Sequence, residues 1–157
     1  MRLSVAIICA CLVATPAAAG AWLRDKGSGF TATKSTLTDH LLIKNSFYFE
    51  YGLTAKTTVG LDVDTTATAF GQIGSGQIFV RRPLSFGGDR SVWAYQVGVG
   101  ADFNGIAVTP LARLGLSYGR GLKLGRYDGW MGVDTALQWN FGTALRTVKV
   151  DTVAGLN

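Results

Sequence analysis

Strict alternation of apolar and polar residues recurs along most of this chain, and few patterns restrict a fold more. Successive side chains of a strand point to opposite faces, so a two-residue period marks a sheet with two unlike surfaces. Phe47, Phe49 and Tyr51 enclose Tyr48 and Glu50. Val59, Leu61 and Val63 alternate with Thr58, Gly60, Asp62 and Asp64. Trp93, Tyr95, Val97, Val99 and Ala101 alternate with Ala94, Gln96, Gly98, Gly100 and Asp102. Leu114, Leu116 and Tyr118 alternate with Arg113, Gly115, Ser117 and Gly119. The same holds from Met131 to Phe141, and for Val148, Val150 and Thr152 around Lys149 and Asp151. In these runs the apolar face carries no charge, whereas Glu50, Asp62, Asp64, Asp102, Arg113, Asp134, Lys149 and Asp151 share the other. Weaker runs at Gly29–Thr36 and Gly76–Leu84 complete a set of eight expected strands.

The connections read as turns. Tyr51 to Thr54, Gly87-Gly88-Asp89, Gly125 to Gly129 and Phe141-Gly142-Thr143 are short, and Asn104-Gly105 is a strong hairpin signal. Short connections make neighbours pair antiparallel. One set of turns, near 52–56, 84–90 and 120–129, is expected at one end of the sheet. The loops near 37–43, 65–75, 103–109 and 142–145 are expected at the other. With a periplasmic amino terminus, the first set faces the periplasm and the second the outside.

Composition supports an ordered chain. Of 157 residues, 48% are apolar and 16% charged, against roughly 25% charged in an ordinary soluble domain. Disorder is excluded, and one domain is the expectation at this length.

Residues 1–19 read as a secretory signal peptide. Arg2 gives the positive start, Leu3 to Ala14 the apolar stretch, Pro16 the break, and Ala17-Ala18-Ala19 the small residues a signal peptidase reads. Cleavage is expected after Ala19 or after Ala21. An uncleaved helix over 3–23 and a lipoprotein box at Ile8-Cys9-Ala10-Cys11 are the competing readings; Pro16 argues against the first and the short apolar run before Cys11 against the second. Both cysteines, Cys9 and Cys11, fall inside this segment. The expected domain, 20–157, therefore lacks cysteine, which excludes disulfides and cysteine-type zinc sites. Loss of Arg2 lowers the formal charge from +5 to +4. The bases are scattered, so no nucleic-acid footprint forms.

A two-faced antiparallel sheet closes either around an apolar core in water or around a polar interior in lipid. Several runs reach about ten residues, enough to cross a bilayer as tilted strands. Aromatics gather at run ends, as in an interfacial girdle. Gly60, Gly98, Gly100, Gly115, Gly119 and Gly132 all fall on the polar face, where a narrow interior needs small residues. These features favour an all-β, antiparallel, up-and-down transmembrane β-barrel. Phe47, Phe49, Tyr51, Trp93, Tyr95, Tyr118, Trp139 and Phe141 are its expected lipid-facing and girdle residues. A soluble periplasmic or secreted β-domain that binds a ligand or partner is the alternative.

Four segments carry a resemblance: Ala21-Trp22-Leu23-Arg24-Asp25-Lys26-Gly27-Ser28-Gly29-Phe30, Tyr48 to Thr54, Arg81-Arg82-Pro83-Leu84, and Leu116 to Gly121. Together they resemble a poorly characterised, porin-like family of proteobacterial outer-membrane β-barrels. The resemblance implies the outer membrane of a Gram-negative bacterium, with outer-membrane lipids and the barrel-insertion machinery as partners. It lends no catalytic residue. Family members are longer and end on an aromatic, whereas this sequence ends Ala154-Gly155-Leu156-Asn157. Eight strands that close as they stand, or the amino-terminal part of a barrel of about twelve, are both compatible with even strand counts.

Chemistry has few candidates. His40, the one histidine, adjoins Asp39, with Ser35 and Ser46 nearby. A lipid-modifying triad is conceivable, but no nucleophile elbow marks a serine, and one histidine makes no metal site. Gly71-Gln72-Ile73-Gly74-Ser75-Gly76 lacks the lysine of a phosphate loop and reads as a flexible hairpin. Arg81, Arg82, Arg120, Lys123 and Arg126 read as solvated charges near the periplasmic rim. No cofactor and no enzymatic activity are expected. The acids of the polar face leave two readings: an ion-paired filling of a narrow barrel, or a passage for small solutes that prefers cations.

Overall fold

A computed structural model describes residues 20–37, 42–68, 71–86 and 91–156. The expected signal peptide, the Asp39–His40 pair and the Gly87-Gly88-Asp89 turn lie outside the described residues. Eight strands follow in order: β1 Gly29–Leu37, β2 Ile43–Thr54, β3 Thr57–Thr68, β4 Gly71–Leu84, β5 Ser91–Phe103, β6 Val108–Leu124, β7 Tyr127–Asn140 and β8 Arg146–Leu156. Each pairs antiparallel with the next, giving one sheet in the order β1 to β8. The outer edges of β1 and β8 are unpaired among the described residues, so the sheet is an open, curled half-barrel. No described helix is long and apolar enough to cross a membrane.

Three expected boundaries move. The loop expected at 65–75 is strand on both sides: Thr65 pairs with Gly74 and Thr68 with Gly71. Gly71–Gly76 therefore begins β4 instead of forming a flexible loop. The β-branched residues Thr65, Thr66 and Thr68 suit an extended backbone, and they extend the ladder through the glycines. The turn expected over 120–129 contracts to Gly125 and Arg126, with Gly125 at φ +64°, as the first position of a tight two-residue hairpin favours. Phe141 lies one residue past β7, where its N–H donates to the Pro110 carbonyl (3.0 Å). The Asn104-Gly105 signal does mark a hairpin: Asn104 Oδ1 accepts from the N–H groups of Ile106 (3.2 Å) and Ala107 (2.8 Å).

Register keeps the two faces distinct across the sheet. Glu50 stands opposite Gly60, Gly60 opposite Phe79, and Phe79 opposite Gly98. Phe49, Leu61, Ile78 and Val99 form the corresponding row on the other face. The curl is severe. Arg113 on β6 reaches Asp62 on β3 (Nη1 to Oδ2, 3.5 Å), although three strand spacings in a flat sheet span about 14 Å. The charged face is thus concave and the apolar face convex.

The concave face is filled by alternating large and small residues. The Phe79 ring covers Gly60, where an added Cβ would lie 2.5 Å from the Phe49 carbonyl oxygen and 2.7 Å from Phe79 Cε1. The convex face is left open and apolar, with Ile78 62%, Val99 56% and Leu114 58% exposed. Gly60→Val should therefore lower unfolding stability by roughly 1–3 kcal/mol through overpacking. Denaturant midpoints of wild type and variant under one detergent condition test this, and equal midpoints would contradict the packing.

Candidate functional site: an ion-paired concave interior

The concave face collects its charges around Glu50, whose side chain is 2% exposed. Three donors satisfy its two oxygens. Tyr48 Oη donates to Oε1 (2.6 Å), Arg81 Nη1 forms a short ion pair to the same oxygen, and Arg24 Nε donates to Oε2 (2.7 Å). Arg81 is itself buried, and its Nη2 donates to Gln96 Oε1 (2.8 Å) and Tyr48 Oη (3.1 Å). Rings shield the group. Tyr48 stacks on Phe79 with centroids 5.7 Å apart, and Arg24 lies 4.4 Å over the Phe30 ring. Strands β2 and β4 and the segment before β1 thus meet at one carboxylate, and β5 joins through Gln96 on Arg81.

The segment before β1 completes this core from within. Gly20–Ser28 lies along the concave face as a strap. Arg24 N donates to Thr58 Oγ1 (3.0 Å), Gly27 N to the Gly52 carbonyl (2.8 Å), and Gly52 N to the Ser28 carbonyl (2.9 Å). Ala21 is 2% exposed, and the Trp22 ring meets Trp130 edge-on at 6.1 Å. Side-chain-free positions make room: a Cβ on Gly52 would lie 2.7 Å from the Arg24 carbonyl oxygen, and one on Gly119 would overlap the Trp22 ring.

The polar-face residues named from sequence share this face. Asp62 accepts from Gln77 Nε2 (3.0 Å) and Arg113 Nη1 (3.5 Å). Asp64 accepts from Ser46 Oγ, and Asp102 from Asn140 Nδ2. Asp134 and Asp151 face each other across β7 and β8. Lys149 occupies the same face of β8, opposite Ala136, and is exposed. Glu50, Asp62, Arg81, Arg113, Asp134 and Asp151 line a cavity of about 220 Å³. Arg81 Nε and Arg113 Nε are buried with no protein partner among the described residues, and a space of that size has room for several water molecules.

Arg81 corrects one expectation. It is no solvated rim charge: it is 5% exposed at the centre of the core, while Arg82 beside it points outward and is exposed. Period-two phase held the signal, because Arg81 follows Ser75, Gln77 and Phe79 at every second residue. Trp130, in phase with Gly132 and Asp134 along β7, also sits on the concave face, against Trp22. Arg24 and the strap carried no alternation signal. The aromatic residues expected on the outer face lie opposite in phase to the acids. Trp93 packs on Tyr118 at 4.8 Å, and Trp139 on Phe141 at 6.2 Å. Phe47 and Tyr51 are exposed, and Phe49 and Tyr95 are half-buried. No group of three or more His, Cys, Asp or Glu able to hold a metal ion occurs among the described residues.

No protein-family model matches this chain, and neither a curated protein nor a solved structure does.

Removing one member of a buried ion pair leaves the other uncompensated, at a cost of about 3–5 kcal/mol. Glu50→Gln and Arg81→Met should each destabilise by that order, and the double variant by clearly less than their sum. A urea double-mutant cycle followed by tryptophan fluorescence checks this; additive losses would show that the two groups do not act as a pair.

Proposed function

We propose that this chain is wall-forming sequence of an outer-membrane β-barrel, a structural protein without catalysis, with its concave face inside and its convex face in lipid. One observation carries the reading: the convex face is apolar from β2 to β8 while the charges converge on the concave face. In water that convex surface would be an exposed apolar area of unusual extent. In hydrocarbon it is the favourable one, and strands of 12–17 residues from β2 to β7 exceed the 9–11 that a tilted crossing needs. The resemblance to porin-like outer-membrane barrels points the same way, and the signal-peptide pattern fits export.

Lipid offers no partner to a free sheet edge. On this reading the outer edges of β1 and β8 are paired in the membrane, by further strands in a wall of about twelve. The filled, ion-paired interior supports a structural barrel. The cavity lined by Asp62, Asp134 and Asp151 favours a second reading, a small diffusion pore that prefers cations. A soluble β-domain would have to cover its convex face with another surface.

Leu61→Lys, Val97→Lys and Val133→Lys should each oppose assembly by about 2–4 kcal/mol near the bilayer midplane. Recovery in outer-membrane fractions, with gel mobility compared before and after boiling, is the readout. Loss of the membrane-bound species in all three variants is expected. Undiminished insertion of all three, or a wild-type protein soluble without detergent, would overturn the reading. Single-channel recording in planar bilayers then separates the two interiors: silence supports the structural barrel, and conductance with a cation-selective reversal potential supports the pore.

A further inference from the structure

Asp134 and Asp151 form a like-charge pair that no salt bridge among the described residues reaches, although Arg81 and Arg113 line the same cavity and the Arg81 charge acts on Asp134 from a distance. They stand directly opposite each other on the concave face, an arrangement that destabilises a sheet unless a cation intervenes. The ion pairs among the described residues are Arg24–Glu50, Arg81–Glu50 and Arg113–Asp62. None reaches Asp134 or Asp151, and Lys149 makes no ion pair with either. What does lie against Asp134 is the backbone of Gly20. A Cβ built on Gly20 would overlap the carboxylate and lie 2.8 Å from its Cγ. The Gly20 α-nitrogen, two bonds from that Cβ, is therefore within roughly 6 Å of the carboxyl carbon.

We propose that the mature chain begins at Gly20 and that its α-ammonium is the cation that neutralises the Asp134–Asp151 pair. This rests on the exported-barrel reading. Hydrolysis of the Ala19–Gly20 peptide bond by water leaves a carboxylate on Ala19 and an amine on Gly20, which takes up a proton. The sequence alone left cleavage after Ala19 and after Ala21 open, since both have small residues at the positions read. The seat of the strap distinguishes them. Cleavage after Ala21 would discard a residue that is 2% exposed and the glycine that fits against Asp134. Cleavage after Ala19 keeps both and places a positive charge beside two carboxylates. Processing would then do more than remove a leader: it would add a second charge to hold a strap already seated by Arg24.

Intact-mass spectrometry of the protein from outer membranes, followed by timed acylation of its α-amine at neutral pH, tests this. The expected mass is that of a chain starting at Gly20. Nearby carboxylates hold the amine in its unreactive charged form, so acylation should be about tenfold slower in the folded than in the heat-unfolded protein. Asp134→Asn with Asp151→Asn should remove most of that protection. Should the double variant not fold, the folded-to-unfolded ratio of the wild type decides alone. A mature chain starting at Trp22, or a Gly20 amine equally reactive in both states, overturns the proposal and leaves the barrel reading intact. A soluble product that still starts at Met1 overturns both.

Discussion

A carboxylate withdrawn from water must find its full complement of donors, and the inner architecture of this chain is organised around one such group. Glu50 takes a phenol and a guanidinium on one oxygen and a second guanidinium on the other. Those donors come from β2, β4 and the strap. Losing any of them would leave charge stranded at low dielectric, where the penalty is several kcal/mol. The requirement couples elements that local propensity alone would leave independent. It fixes the phase of β4 against β2, because only one face of β4 can bring Arg81 to Glu50. It also draws the strap inward, because Arg24 has to cross the concave face to reach the same carboxylate.

Steric alternation lets the charges approach. Glycine at Gly60, Gly52 and Gly119 gives up side-chain volume where Phe79, the strap backbone and Trp22 need it. Small residues inside and branched residues outside also favour curvature, since the concave surface has less room per residue than the convex one. Curl, charge convergence and the exposed apolar exterior are therefore linked. A flatter sheet would separate Asp62 from Arg113 and could not enclose the strap.

Much of the fold was legible in the sequence because its carrier, a two-residue period, is local. All eight strands, their antiparallel order and the division of Glu50, Asp62, Asp102 and Arg113 from Val97, Leu114 and Trp139 follow from side-chain alternation. Strand ends were less legible. At Thr65–Gly76 glycines and threonines read as a loop, but pairing with the neighbouring strand held them extended. The core was half legible. The acids were visible, whereas two of their counter-ions were not. Arg81 sits in a run whose alternation is interrupted by Arg82 and Pro83, and Arg24 lies in a segment with no period at all. Its place is set by contacts 26 residues away in sequence, which no local pattern reports.

In the proposed outer-membrane wall, odd-numbered residues of β5 face lipid and even-numbered residues face the interior. Residues 20–157 contain no cysteine, so single cysteines can be placed there without removing any other from that span. Spin labels at successive positions from 93 to 102, in protein assembled into bilayers, can be probed with oxygen, which partitions into lipid, and with a water-soluble nickel complex. Oxygen access should peak at 93, 95, 97, 99 and 101 and fall at the positions between, with the nickel complex excluded from the odd set. High access of the nickel complex at 95, 97 and 99, or no two-residue period at all, would contradict the account.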